Sequence, residues 1–272
     1  MKSYTRGNIK ISELEPGDTY MSSIANNPNL IIHDKSLTDL KIPENLHVYN
    51  YPEYISYKIR ILENRDLYLN TFSSNSRKLF KKRYTGIEEN YHVLLVNDLN
   101  HDILLQWYEG YLEFLKSLPF GIDKIKNIDE WYKKDRGEDK FFAIFLLDKE
   151  TDKIMKGGQI IKYIPKEKKY SLSYSWFKEE TRKEGASTFI ILYLYELAVK
   201  NNIEVISFGK DTNLYGGNIP ISLLDFKLSW KSEPYIPRET RLLNLVVNDP
   251  LPNPIKFFSL ENEDKMSLVT IP

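Results

Sequence analysis

The sequence contains no cysteine. That excludes a disulfide framework, a thiolate nucleophile and a cysteine-ligated zinc site, and it fits a reducing compartment. Net charge is lacking too, because 38 Lys and Arg residues balance 38 Asp and Glu residues. A neutral chain has no overall field to steer nucleic acid or an anionic membrane, although a local patch survives such cancellation. No apolar run approaches the roughly 20 residues that span a bilayer. Met1 to Lys10 is too polar to be a secretory signal core. The expectation is a cytoplasmic protein without a membrane partner. Histidine is scarce, and His33, His47, His92 and His101 are scattered without metal-ligand spacing, so no metal is expected. A Walker A loop, a dinucleotide fingerprint and a Gly-x-Ser-x-Gly elbow are all missing.

What is present is an ordinary globular composition, 42% hydrophobic and 28% charged over 272 residues. That length suits one large domain or two small ones, with a core that needs no staples. Nineteen tyrosines and 13 phenylalanines point to extensive sheet and aromatic packing.

The first 45 residues are the least readable, with turn clusters at Pro16-Gly17-Asp18 and Asn26 to Asn29, and an edge-strand candidate at Leu30 to Ile32. Leu46 to Tyr49 reads as a strand. Ile55, Ile59 and Leu62 fall at helical spacing, which predicts a helix over Glu53 to Glu63. Ser73 to about Tyr84 reads as a capped helix with a basic body, Arg77, Lys78, Lys81, Lys82 and Arg83. Tyr91 to Val96 reads as a strand, and Asp98 to Leu118 as an amphipathic helix ended by Pro119-Phe120-Gly121. A further helix is expected over Asn127 to Lys134.

The second half changes character. Strands are expected at Phe141 to Leu147, Ile154 to Ile164 and Tyr170 to Phe177. In the last, Tyr170, Leu172, Tyr174 and Trp176 alternate with Ser171, Ser173 and Ser175, which places the aromatics on one side. A helix to about Lys200 and a strand at Val205 to Phe208 follow. The stretch from Leu224 to Val247 looks like two strands, and the last 20 residues carry weak order signals. Helices first and then β-β-β-α-β-β imply an α+β, or mixed α/β, layered fold.

Between Trp176 and Lys200 a strand ends and a short loop, Arg182 to Ser187, opens directly into a helix. Loop amides free of bulky side chains, together with a helix N-terminus, favour an anion. Gly185 and Ala186 allow close backbone approach, and Ser187 or Thr188 can cap the helix or donate a hydroxyl.

This stretch resembles the acetyl-CoA signature of the GNAT superfamily, in which Gln or Arg is followed after two residues by Gly, any residue, and Gly or Ala. Arg182 and Gly185 match, and Ser187 departs from the last position. A second set is similar to the FemAB-like and BioF2-like branch: Ser207 to Gly216, Leu223 to Lys227 with Trp230, the basic helix from Ser76-Arg77-Lys78, and Gly157-Gly158-Gln159. The resemblance spans roughly residues 70 to 235. It implies a GNAT-like fold, a central mostly antiparallel sheet flanked by helices, with strands splayed around a donor cleft. Residues 71–247 would be the acyltransferase domain, 1–70 an N-terminal extension or partial subdomain packed on the core, and 248–272 a C-terminal tail.

The implied reaction is attack of an amine on a thioester or ester carbonyl in a ternary complex, with acyl-CoA or an acyl carrier protein as donor. A small-molecule or peptide amine would be the acceptor. The resemblance makes Asp211 a candidate base and Tyr215 a candidate acid, and sets the backbone of Tyr174, Ser175 or Trp176 beside the pantetheine arm. Lys227 is placed as an outward-facing strand residue or as a partner of Asp211 or of a substrate carboxylate. FemAB enzymes proper hold two such domains and use aminoacyl-tRNA. With one complete copy here, nucleic acid enters only as tRNA in an alternative reading. A non-catalytic GNAT-fold binding module is the third.

Overall fold

The computed structural model describes residues 1–272 except 7, 25–26, 37–41, 45, 98–100, 118–139, 152–153, 218 and 263–264. Strands β1 (Lys2–Arg6) and β2 (Ile9–Leu14) precede the single turn α1 (Tyr20–Ile24), then β3 (Leu30–Asp34), β4 (Val48–Pro52) and β5 (Tyr54–Arg60). Helices α2 (Arg65–Asn70) and α3 (Ser74–Asn90) lead into β6 (Tyr91–Val96) and α4 (His101–Ser117). Strands β7 (Lys140–Asp148), β8 (Met155–Ile164) and β9 (Lys169–Phe177) are followed by α5 (Glu179–Glu184), α6 (Ala186–Lys200) and β10 (Val205–Thr212). Next come α7 (Ile221–Ser229), β11 (Glu233–Tyr235), β12 (Leu242–Val247), β13 (Ile255–Asn262) and β14 (Lys265–Ile271).

The chain divides into two compact units, Met1–Tyr57 with Lys210–Pro272, and Lys58–Gly209. This differs from the division expected from the sequence. Residues 1–57 share a unit with the C-terminal third, because β12 inserts between β3 and β4 in one sheet of order β1-β2-β3-β12-β4. The expected tail, 248–272, holds the hairpin β13–β14, whose Ile255 and Phe257 are fully buried beside Ile9, Leu30 and Leu245. Leu30 to Ile32 is an interior strand rather than an edge, since β3 pairs with both β2 and β12.

In the unit Lys58–Gly209, strands run in the order β10-β9-β8-β7-β6. Pairs β6–β7, β7–β8 and β8–β9 are antiparallel and β9–β10 is parallel, joined through α5 and α6. The expected mixed α/β architecture, a mostly antiparallel sheet flanked by helices, is what this unit adopts. Helix α4 buries Leu104 and Trp107 against Ala143, Phe145, Ile160 and Trp176. Helix α3 begins as expected, with Ser73 capping through its hydroxyl, and Tyr84 packs on Phe189 of α6 at 4.9 Å between ring centroids. Gly158 is needed for strand approach, because a Cβ there would sit 2.5 Å from the Phe145 ring.

Three expectations are corrected. The segment expected as a helix over Glu53 to Glu63 is strand β5. Ile55, Tyr57 and Ile59 are buried at a spacing of two, and Leu62, which completed the helical pattern, is exposed. The stretch around Leu224 is helix α7, with Leu224 and Lys227 inside at helical spacing. The aromatics of β9 do not share one face. Ile160 pairs with Tyr174 and Ile161 with Leu172, so Ser173 is an extra residue in a β-bulge. The bulge turns Tyr174 and Trp176 toward Tyr111 and Trp107 of α4, while Tyr170 bonds Asn201 beyond α6. The helix expected over Asn127 to Lys134 lies outside the described residues.

Candidate active site

The three residues carrying the catalytic expectation, Asp211, Tyr215 and Lys227, meet in one cluster. Strand β10 delivers Asp211 near its end, a turn through Asn213 follows, and α7 returns Lys227 in its last turn. Asn213 is fully buried and fixes that turn: its amide bonds the carbonyls of Pro52 and Phe258, and its carbonyl accepts from the Phe258 N–H. Lys227 Nζ contacts Asp211 Oδ2 at 2.5 Å, and Tyr215 donates its hydroxyl to the same oxygen at 2.8 Å. Of the readings open for Lys227, the structure selects the pairing with Asp211, and from a helix rather than a strand.

A fourth member was not singled out in the sequence. Tyr57 of β5 places its hydroxyl 2.7 Å from that of Tyr215, and its ring lies 5.1 Å from the Lys227 ammonium. It was hidden because the Glu53 to Glu63 segment read as a helix; the period-two alternation of Ile55, Tyr57 and Ile59 was the available signal.

Burial sets the electrostatics. Tyr57 and Tyr215 are 0% exposed and Lys227 is 4% exposed, whereas the Asp211 side chain retains 13%. Burial, and then the Asp211 charge, push the Tyr215 hydroxyl above its ordinary range. Burial also raises Tyr57. Burial pulls the Lys227 ammonium below its ordinary range, against the opposing pull of Asp211. Both tyrosines therefore hold their protons at neutral pH. Tyr215, expected as an acid, has its hydroxyl fully buried and bonded to Asp211.

The donor-side residues lie in the other unit. The β9–β10 ladder joins Lys169–Ser171 to Val205–Ser207. Beyond it the strands continue without further pairing to each other among the described residues. The unpaired stretch contains the bulge at Ser173. The carbonyl of Tyr174 accepts from the Gln159 amide at 2.9 Å, Ser175 is half-buried, and Trp176 donates to the Trp107 carbonyl at 2.6 Å.

The segment expected as a loop, Arg182 to Ser187, is largely helical. Glu179–Glu184 forms α5, and Gly185, at φ 109°, is at once its C-cap and the N-cap of α6. Ser187 and Thr188 therefore do not cap the helix; they lie inside it. Arg182 is exposed, Ala186 is fully buried and Ser187 is half-buried. The side of Gly185 expected to face a ligand instead meets the aliphatic stem of Arg83, 2.6 Å from where a Cβ would stand. Arg83 Nη1 donates to Thr188 Oγ1 at 3.3 Å. The first turn of α6 thus carries a half-buried cation beside its positive end, an arrangement an anion would relieve. Among the described residues no group of three His, Asp or Glu side chains is placed to hold a metal ion, and no helix is long and apolar enough to cross a membrane.

No protein-family model matches this chain, and no curated protein matches it. Among solved structures it is similar to L-PGS from Bacillus licheniformis, at 14% identity and a TM-score of 0.47, over 85% of this chain and 71% of that one. It is similar to FemX, at 13% identity and a TM-score of 0.46, over 84% and 74%. A tandem GNAT protein from the clavulanic acid biosynthesis pathway is similar at 10% identity and a TM-score of 0.41, over 83% and 66%.

Proposed function

We propose that this protein is an acyltransferase of the GNAT-like, FemAB-like kind, moving an acyl group from an acyl-CoA or acyl-carrier-protein thioester to an amine. The observation that carries the reading is the β9–α5–α6–β10 crossover. Two parallel strands stop pairing after three residues, a bulge frees backbone at Ser173, and the intervening helix starts beside Arg83. Ligands of open α/β sheets bind in the crevice beyond the carboxyl ends of parallel strands, with phosphate at the helix N-terminus. Unpaired N–H groups of β9 would serve as oxyanion donors as the carbonyl becomes tetrahedral.

The amine reaches the thioester neutral, having lost one proton to a base; Asp211 is the proposed group, held by Tyr215 and Lys227 as positioning residues. The nitrogen attacks the carbonyl carbon, the C–S bond breaks, and the thiolate leaves. The amide nitrogen sheds a second proton, so one proton ends on sulfur and one in solvent. The test is a thermal-shift series with acyl-CoAs of increasing chain length, followed by transfer assays on an amine panel. A rise in Tm with at least one of them, lost in Arg83→Glu, is expected. No shift with any acyl-CoA sinks the CoA donor.

A second reading, an aminoacyl-tRNA donor, is favoured by one feature. Arg77, Lys78 and Lys81 of α3 line a groove of about 450 Å³ with Ser74 and Asn70. This reading predicts RNA copurifying with the protein and a binding constant that falls steeply with salt. Nucleic-acid-free protein without salt-sensitive RNA binding removes it.

A further inference from the structure

One groove in the unit Lys58–Gly209 is lined by acidic side chains from one element and basic side chains from another. The groove holds about 570 Å³, in the range of small-ligand pockets. Its α4 wall presents Glu109 and Glu113 at i and i+4, a spacing at which like charges repel. Where β9 passes into α5, the groove is lined by Lys178 and Arg182. Met155, Trp176 and Phe114 line it as well.

All four charged side chains are exposed. None of the four forms a salt bridge among the described residues. Glu179, which also lines the groove, is already paired with Lys183 at 2.7 Å. Unlike charges that line one groove without pairing with each other leave room for a ligand that carries both charges. An ammonium would relieve the Glu109–Glu113 repulsion, and a carboxylate would accept from the Arg182 fork. The packing beneath keeps the walls apart. Gly110 lies against the Trp176 ring so closely that a Cβ would stand 2.2 Å from it, and Trp176 is tied to the Trp107 carbonyl.

We propose that this groove binds a zwitterionic amine, a free α-amino acid or a short peptide, with its ammonium toward Glu109 and Glu113 and its carboxylate toward Lys178 and Arg182. Naming this ligand as the acyl acceptor rests on the acyl-transfer reading above; the binding itself does not. As acceptor, the ligand would lose its positive charge when its nitrogen becomes an amide. The acidic wall would then hold the product less tightly than the substrate.

The experiment is calorimetric titration of the full chain, without any donor, against the free α-amino acids and L-alanyl-L-alanine. The tightest binder is then compared with its N-acetylated form and its C-terminal amide. Each capped form is expected to bind at least about tenfold more weakly, the factor that one lost charge-assisted contact gives. Glu109→Gln with Glu113→Gln should erase the discrimination against the N-acetyl form and keep that against the amide. Arg182→Gln should do the reverse. These side chains are exposed, and thermal melts verify that the variants fold. Equal binding of the capped forms, unchanged discrimination in the variants, or no binding by any zwitterion overturns the proposal. Zwitterion binding without transfer from any donor keeps the groove and removes the acyl-transfer reading. Transfer confined to amines that bear no carboxylate removes the groove's role alone.

Discussion

Tyr215 donates its hydroxyl hydrogen to Asp211 at 2.8 Å, and that one bond orders the cluster around it. A phenol has a single hydrogen. With Tyr215 committed to Asp211, the 2.7 Å contact to Tyr57 must be donated by Tyr57. The chain of donors runs from Tyr57 to Tyr215 to Asp211, and Lys227 meets the same carboxylate oxygen.

The direction of that chain ranks two conservative variants. Tyr215→Phe removes the bond to a charged acceptor and strands the Tyr57 hydroxyl in a dry interior. Its expected cost is about 2–3 kcal/mol. Tyr57→Phe removes only a neutral bond, about 1 kcal/mol. Urea unfolding of both variants measures the ranking, and the opposite order would contradict the assigned direction.

Lys227 and Asp211 should be strongly non-additive. Asp211→Ala leaves a buried ammonium without its anion, an expected loss of about 3–5 kcal/mol. Adding Lys227→Met to Asp211→Ala removes the uncompensated charge and should restore part of that loss. A double-mutant cycle by chemical denaturation reads the coupling; additive costs would mean that the pair is not a unit.

Alkaline pH separates the two kinds of titrating group. Tyr57 and Tyr215 are raised above the ordinary 10.0, chiefly by burial. Their contribution is whole below 10.0 and is lost above it, where the unfolded chain ionises first. Lys227 is lowered below 10.5 by burial. In the window beneath 10.5 the unfolded chain binds a proton that the folded chain lacks, so stability rises with pH there. Lys227→Met should flatten that rise and leave the tyrosine-driven fall in place. Unfolding midpoints measured through this window decide it, and an unchanged profile in the variant would assign the rise to other groups.

Gly110→Ala is expected to be among the most damaging single-methyl additions in the protein. The new Cβ would meet the Trp176 ring at 2.2 Å, and Trp176 cannot retreat without breaking its bond to the Trp107 carbonyl. Overpacking of this kind costs about 1–3 kcal/mol or more. It should appear as a lower Tm together with altered tryptophan emission. Retained stability with native emission would mean that α4 shifts freely over β9.

Much of the sheet was legible because its strands alternate or are continuously apolar between charged turns. Apart from α5, the elements from Tyr91 to Lys200 outside 98–100, 118–139 and 152–153 match the structure to within a few residues. The misreadings share a cause. Ile55, Ile59 and Leu62 satisfy a helical period while Ile55, Tyr57 and Ile59 satisfy a strand period, and only the neighbours chose between them. Ser173 sits in perfect alternation, yet a bulge, which no alternation reveals, gives Tyr170 and Tyr174 different partners, Asn201 and Tyr111. Leu224, Phe226 and Leu228 alternate with Asp225 and Lys227 at strand spacing, and burial of Leu224 with Lys227 identified the helix.

What the sequence determined by itself was local: turns, most periods, the Ser73 cap, the glycine at the α5–α6 junction, and the candidacy of Asp211, Tyr215 and Lys227. Residues three to a few tens apart imprint such patterns because backbone geometry repeats over short distances. Only the tertiary structure decided that these three share a carboxylate oxygen, that Tyr57 from 158 positions away completes them, and that Arg83 fills the space beside Gly185. Those are contacts between distant segments. They depend on which faces are buried together, and burial is a property of the folded chain rather than of any window along it.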